Sequence, residues 1–257
     1  MWIRKIRKKI ARFFKGVRKT EPGAPAAKAR KATAAAKKAA ERPTRKRPKR
    51  IIGRRDNNIL LETRKSLKGQ INIVHGTGNT VRFGEGSHFI GKLRIRGSNN
   101  LIEFGPNAGI RGRIAVVGDN QRVIFGAHST SVEIYIVCAE GQDVIIGKSC
   151  MLSRKIEIRT TDSHSVVDPQ TGQRMNKPRS VIIGDHVWIG VGTFVSKGAV
   201  IPSNSIVAAM SFVNGRFEEE GVIIAGEPAK VVKQGITWQR EPRDQFTMEE
   251  LDRWKTE

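Results

Sequence analysis

From Ile183 to Val213 an aliphatic residue recurs at every sixth position: Ile183, Ile189, Val195, Ile201, Val207, Val213. Four residues after each of the first five stands a small or β-branched side chain, namely Val187, Thr193, Ala199, Ser205 and Ser211. A strict period of six fits neither a helix at 3.6 nor a lone strand at 2. It predicts a solenoid in which each hexad is one short strand and a turn. Three hexads close a triangular coil, and the aliphatic residues stack inside it. A longer repeat precedes this one. Phe83-Gly84, Phe104-Gly105, Phe125-Gly126 and Ile146-Gly147 stand 21 residues apart. Further apolar marks fall 6 and 12 residues after each, at Phe89 and Ile95, Ile110 and Val116, Ser131 and Val137, and Leu152 and Ile158; only Ser131 is polar. Small residues follow the first mark by four (Ser87, Ala108, Ser129, Cys150), and three extra residues form the last corner of each coil. Gly and Asn suit those corners because they tolerate positive φ.

This pattern divides the chain. Residues 51–235 form the solenoid, interrupted by one excursion at 159–178, which is polar, breaks the period and holds Pro169, Gly172 and Pro178. A long departure from a regular solenoid is the first place to look for a site. Residues 236–257 are expected to be a C-terminal capping tail ending in a short helix, with Thr247 as N-cap and Glu250 three residues on.

Charge separates the solenoid from what precedes it. The first fifty residues hold 20 Lys and Arg against Glu21 and Glu41, or +18. The other 207 hold 27 basic and 22 acidic residues, or +5, which together give the net +23 of the chain. Within 1–19, Ile3, Ile6, Ile10, Phe13, Phe14 and Val17 are spaced for an amphipathic helix with a cationic face, the pattern of an interfacial membrane segment. It has no apolar run long enough to span a bilayer and no secretory core. Residues 20–50, rich in Ala, Lys, Arg and Pro, read as a disordered basic linker. Docking on an anionic membrane is favoured for residues 1–50, with a nucleic acid or other polyanion ranked second and a solvated tail as the plain alternative.

Ile182-Ile183-Gly184-Asp185-His186-Val187-Trp188-Ile189-Gly190, the earlier Asp162-Ser163-His164, and Ala225-Gly226-Glu227-Pro228-Ala229-Lys230-Val231-Val232-Lys233 together resemble the hexapeptide-repeat acyltransferases. The galactoside, maltose and capsule O-acetyltransferase branch is the nearest in motif. The resemblance is specific over 146–235, looser over 70–145, and absent from the first fifty residues. It implies an all-β, left-handed parallel β-helix, assembled as a homotrimer with acetyl-CoA held between subunits. It also implies an acetyl transfer to a sugar hydroxyl in surface-polysaccharide or lipid-linked glycan synthesis. Position by position it makes His164 the catalytic histidine and the Val191 N–H the oxyanion donor. It puts Trp188, Gly190 and Ala209 along the donor groove, and Pro228, Ala229 and Lys230 near the nucleotide end of the donor. His164-Ser165 stands where many relatives have His-Pro, and Gly226-Glu227-Pro228 where many have Gly-Asn-Pro.

The chemistry agrees with those residue types. A hydroxyl attacking a thioester needs a base, and histidine titrates near working pH. A backbone N–H can meet the developing oxyanion without reorganisation. Asp162 could orient the imidazole or bind acceptor, with Asn176 and Asp168 as weaker candidates, and Lys230 could meet phosphate. A lone histidine in a polar loop is more often merely solvated; the loop's position and the resemblance favour catalysis here. His186 is read as groove-facing or surface, and His75, His88 and His128 as surface residues. No metal is expected, since His164 and His186 are 22 apart with no other histidine near either. Cys138 and Cys150 indicate neither disulfide nor metal site, and a cytoplasmic setting, peripheral on the inner membrane leaflet, follows. Transfer to the amine of a nucleotide-linked amino sugar, or an inactive β-helix scaffold at the membrane, remain the alternatives.

Overall fold

The computed structural model describes residues 51–53, 55–61 and 66–256; the helix expected over 1–19 and the linker over 20–50 lie outside them. The expected left-handed parallel β-helix is the observed architecture. Its first face is a sheet of seven parallel strands: Asn58–Leu60, Thr80–Phe83, Leu101–Phe104, Arg122–Phe125, Val144–Ile146, Val181–Ile183 and Val200–Ile201. The periodic residues lie in register along it, Phe83 on Phe104, Phe125, Ile146, Ile183 and Ile201 in turn. Phe83, Phe104 and Phe125 stack inside with ring centroids 4.7 and 5.3 Å apart. All of these marks are buried, and each such side chain removed from water contributes roughly 1.5–3 kcal/mol.

The second and third faces form one sheet of fourteen strands, because two strands run round the corner between them. His88–Arg96 and Gly109–Val117 are nine residues each and bend at Gly91 and Gly112, whose φ are +154° and +150°. A Cβ on Gly91 would lie 1.8 Å from the Gly112 carbonyl oxygen, so glycine is what lets successive coils stack at this corner. The predicted small residues fill the corner between the first and second faces: Ala108, Ser129, Cys150, Val187 and Ser205 are all fully buried.

One phase differs from expectation. Val137 points outward between Ile136 and Cys138, which pair with Ile114 and Val116 on the preceding coil and are fully buried. Ser131 accounts for the shift. Instead of entering the core, its hydroxyl accepts from Arg111 N–H at 2.8 Å and donates to Arg111 O at 3.1 Å. The chain then bulges through exposed Val132 and Glu133, and the inward positions resume one residue late at Ile134.

At the corner between the third and first faces, a column of buried amides replaces apolar packing. Asn79 accepts at Oδ1 from the N–H and Nδ2 of Asn100, at 3.1 and 2.9 Å. Asn100 donates from Nδ2 to Gly118 O at 2.9 Å and accepts from the Gln121 N–H at 2.9 Å. Asn79 and Asn100 thus each satisfy a backbone N–H of the next coil, and the column ends at Gln121, whose buried Oε1 has no partner among the described residues.

The tail does not lie across the open end of the coil. After the hairpin of Ile223–Gly226 and Ala229–Lys233 it returns along the flank. Arg240 donates to Thr130 Oγ1 (2.7 Å) and Cys150 O (2.9 Å), and Lys148 Nζ donates to Lys255 O (2.9 Å). The helix Met248–Asp252 carries the expected capping box of Thr247 and Glu250. Among the described residues no helix is long and apolar enough to cross a membrane.

Candidate active site at two corners of the coil

The excursion leaves the solenoid after the strand Ile156–Arg159 and rejoins it at Val181–Ile183. It therefore spans 160–180 and springs from the corner between the third and first faces. Polar contacts hold both of its limbs. Asn176 donates from Nδ2 to Asp162 Oδ2 at 2.7 Å and to His164 O at 2.8 Å, and its Oδ1 accepts from Val166 N–H at 2.7 Å. Lys197, one coil on, is ion-paired with Asp162. Glu140 accepts from Arg174 and from the Thr161 hydroxyl, tying the loop to the coil behind it. The Lys197 hydrogen bond, helped by Asn176, holds the Asp162 carboxyl below its ordinary range. Arg174 and Thr161 do the same for Glu140.

His164 is exposed at the tip of this clamp. Its backbone is fixed by Asn176, while Asp162 spends its carboxylate on Lys197 and Asn176. Asp162 therefore shapes the loop rather than gripping the imidazole. Asp168 caps its own turn, accepting from Gln170 N–H at 2.8 Å and Thr171 N–H at 3.3 Å.

Val191 stands elsewhere, between Trp188–Ile189 on the second face and Phe194–Val195 on the third. His164 and Val191 thus occupy opposite edges of the third face, and a single chain does not bring them together. The turn at Val191 is tight. Its carbonyl accepts from Met210 N–H at 2.8 Å, Gly192 N–H donates to Arg154 O at 3.1 Å, and Gly192 has φ +72°. A Cβ on Gly190 would meet Ala209 N at 2.5 Å, so Gly190 and Ala209 are neighbours in successive coils at this corner.

Two hollows flank Val191 along the corner. On the C-terminal side a pocket of about 300 Å³ is lined by Gly192, Phe194, Met210, Ser211, Phe212 and Glu227. On the N-terminal side lies a cleft of about 640 Å³ floored by Gly91 and Gly112. Pro228 and Lys230 are exposed on the hairpin next to Glu227, and Ala229 is buried behind them.

The histidine read as surface or groove-facing is neither. His186 is 5% exposed and is stacked between Trp238 (4.3 Å, 6°) and Trp254 (4.8 Å, 5°). Its Nδ1 lies 3.0 Å from Asn204 Oδ1, and Trp238 Nε1 donates to its carbonyl at 2.8 Å. Trp188 remains 37% exposed, with Trp238 tilted against it at 6.1 Å. The tail therefore covers part of Trp188, a residue the resemblance puts along the donor groove.

No protein-family model matches the chain. It is 34% identical over 105 residues to the polysialic acid O-acetyltransferase of Neisseria meningitidis, covering 41% of this chain and 49% of that protein. It is 30% identical over 98 residues to the polysialic acid O-acetyltransferase of Escherichia coli O1:K1, covering 38% and 32%. The chain thus spans about half, or less, of the length of these relatives. Among solved structures, the polySia-specific acetyltransferase NeuO superposes with a TM-score of 0.63 at 24% identity, over 78% of this chain and 92% of that one, a likeness of fold. Over part of its length the chain is similar to polysialic acid O-acetyltransferases, and it shares the hexapeptide-repeat solenoid its motifs resemble.

Proposed function

We propose that the protein transfers an acetyl group from acetyl-CoA to a hydroxyl of a glycan in surface-polysaccharide synthesis, with each active site completed between two subunits of a homotrimer. The observation that carries this reading is the separation of His164 from Val191 on a solenoid whose relatives are O-acetyltransferases. A clamped loop presenting a histidine at one corner, and a tight backbone turn beside a pocket at another, are complementary halves of one acyl-transfer site.

The pocket beside Val191 fits a thioester donor by its chemistry. Phe194, Met210 and Phe212 give it apolar walls for a pantetheine arm, and the turn at Gly190–Gly192 lets backbone approach closely. Lys230 and Lys233, exposed on the adjoining hairpin, are suited to the phosphates. A neighbour's His164 takes the proton of the acceptor hydroxyl as its oxygen bonds to the thioester carbon. The Val191 N–H donates to the carbonyl oxygen while that atom holds negative charge. Breaking the carbon–sulfur bond then leaves a thiolate, to which His164 returns the proton. Residues 1–50, at +18 with an apolar stripe, are suited to hold the enzyme against an anionic inner leaflet where lipid-linked glycans are built.

The test is acetyl-CoA turnover, followed as free thiol release with polysialic acid and other envelope glycans as acceptors. His164→Ala is expected to lower kcat by about 10² or more with donor binding retained. Equal rates in the two proteins would overturn the role of His164, and absence of both turnover and donor binding would overturn the activity itself.

A further inference from the structure

Resting on the reading that His164 of one copy serves Val191 of the next, we infer which surfaces join the copies. The first face of one coil packs on the second face of its neighbour, and the third face is left in solvent. The outward positions of the first face are the starting point. Ile124, Ile145, Ile182 and Val200 stand in register on successive coils, each one residue before an inward mark. Ile182 is 44% exposed and the other three are half-buried. A parallel sheet ordinarily has both of its faces covered, whereas this aliphatic ladder is open. On the same face Arg82 pairs with Glu103 at 3.1 Å and Arg122 with Asp143 at 2.7 Å. Both pairs can therefore enter an interface without leaving an uncompensated charge.

The second face carries a matching column. Met151, Trp188, Ile206 and Ile223 are outward and in register. The tail is held at the turn between the first and second faces, by Thr237 on Asn204 and by Arg240 on His128 O, and it leaves Trp188 open. The two columns share coils, since Ile145 and Met151, Ile182 and Trp188, and Val200 and Ile206 are each six residues apart. Rotation about an axis parallel to the coil keeps every residue at its own height. The ladder of one copy thus meets the column of the next on the coils that hold Val191 and Lys197.

Symmetry and charge select this pairing. Round the coil the order is first, second, third face, and where two such copies meet, their faces run in opposite senses. The corner of His164 ends the third face and begins the first, whereas that of Val191 ends the second and begins the third. Two pairings set one corner beside the other: first face on second, or third on third. The latter is a two-fold contact that places Lys92, Arg94 and Arg113 against their own counterparts, a repulsive juxtaposition. A ring with the third face turned to its axis gathers the same cations. First on second leaves them in solvent and closes a ring.

The experiment measures the solution mass and the acetyl-CoA turnover of the full-length protein as wild type, Ile145→Arg/Ile182→Arg and Lys92→Glu/Arg113→Glu. Wild type is expected at the mass of three copies, and so is the third-face variant. The first-face variant is expected at the mass of one copy, with turnover lowered by about 10² or more, as loss of the base would do. Should that variant fail to fold, Val200→Cys/Ile206→Cys replaces it, the native Cys138 and Cys150 being buried. A bismaleimide is expected to join copies of this double variant and of neither single one, because the first face meets the second and never its own kind. Three copies in the first-face variant, dissociation of the third-face variant, or cross-linking of a single variant would overturn the assignment of faces and leave the two-copy site standing. A wild type of one copy that still turns over acetyl-CoA would overturn both. Mass is read without substrate, so the faces are tested even where no glycan is acetylated.

Discussion

Cys150 and Cys138 are both fully buried, and burial pushes each thiol up to about 12. Below 9 they are neutral in folded and unfolded chains alike. Between 9.0 and about 12 the unfolded thiols ionise while the folded ones hold their protons, so the unfolded state binds fewer protons and stability falls with rising pH across that window. The expected outcome is no reaction with a thiol reagent at pH 8 in the native protein and two thiols titrated after denaturation; rapid labelling of the native chain would contradict this packing. Cys150→Ala, which places here the residue the preceding repeats tolerate at Ala108, is expected to flatten the alkaline slope in a pH series of urea melts. The burial of Cys150 was legible because it falls on the same mark as Ser87, Ala108 and Ser129. That of Cys138 was not. The fixed period puts Val137 in the core, and only the diversion of Ser131 to the Arg111 backbone shifts the coil by one residue. A side chain that bonds sideways looks, in sequence, like a simple polar lapse.

The excursion and the tail are the two elements that depart from the period, and they were legible to different degrees. The loop announces itself as a break, although Arg159 stays in the strand and the chain rejoins the coil only at Val181, so the loop ends two residues later than the sequence indicates. Asn176 is its main brace, bonding Asp162, His164 O and Val166 N–H at once. Asn176→Ala is expected to speed hydrogen exchange across 162–176. It is also expected to lower kcat by roughly one to two orders of magnitude through misplacement of His164, with KM for the donor little changed. The carboxyls of Glu140 and Asp162 sit below their ordinary 4.5 and 3.8, so they favour the closed loop above those values. That contribution disappears as pH falls through the lowered values. Exchange protection of the loop should therefore weaken in acid before the core melts, and Glu140→Gln should blunt the effect. The tail hides its contacts from sequence, since Trp238 meets His186 across 52 residues of chain. Trp238→Ala is expected to make residues 239–257 the first segment cut within 51–257 in limited proteolysis while the coil stays resistant, with the His186 imidazole becoming solvent-accessible. Cleavage inside the coil first would show that the tail braces the solenoid as a whole.

At the scale of the whole molecule, the coil geometry decides what one chain can do alone. Its corners are set by strands that stack in register from Asn58 to Val213, so with the loop clamped as it is His164 and Val191 stay at opposite edges of the third face. A site that needs both must draw them from two copies, and a closed ring of three copies gives three equivalent sites. Complementation tests this directly. One variant, His164→Ala, lacks the base but keeps an intact donor pocket. The other, Glu227→Trp, keeps the base and carries an indole on the exposed rim that fills the pocket of about 300 Å³. Each homo-oligomer is expected to be inactive. When the two are unfolded together at equal amounts and refolded, a site works where a Glu227→Trp chain supplies the histidine and a His164→Ala chain supplies the pocket. Random assembly brings that about at one half times one half, or about one quarter of the sites. Thiol release near a quarter of the wild-type rate is the expected reading. No recovery in a mixture shown by mass to contain hetero-oligomers would mean that base and pocket act within one chain, and the loop would then have to swing across the third face to reach Val191.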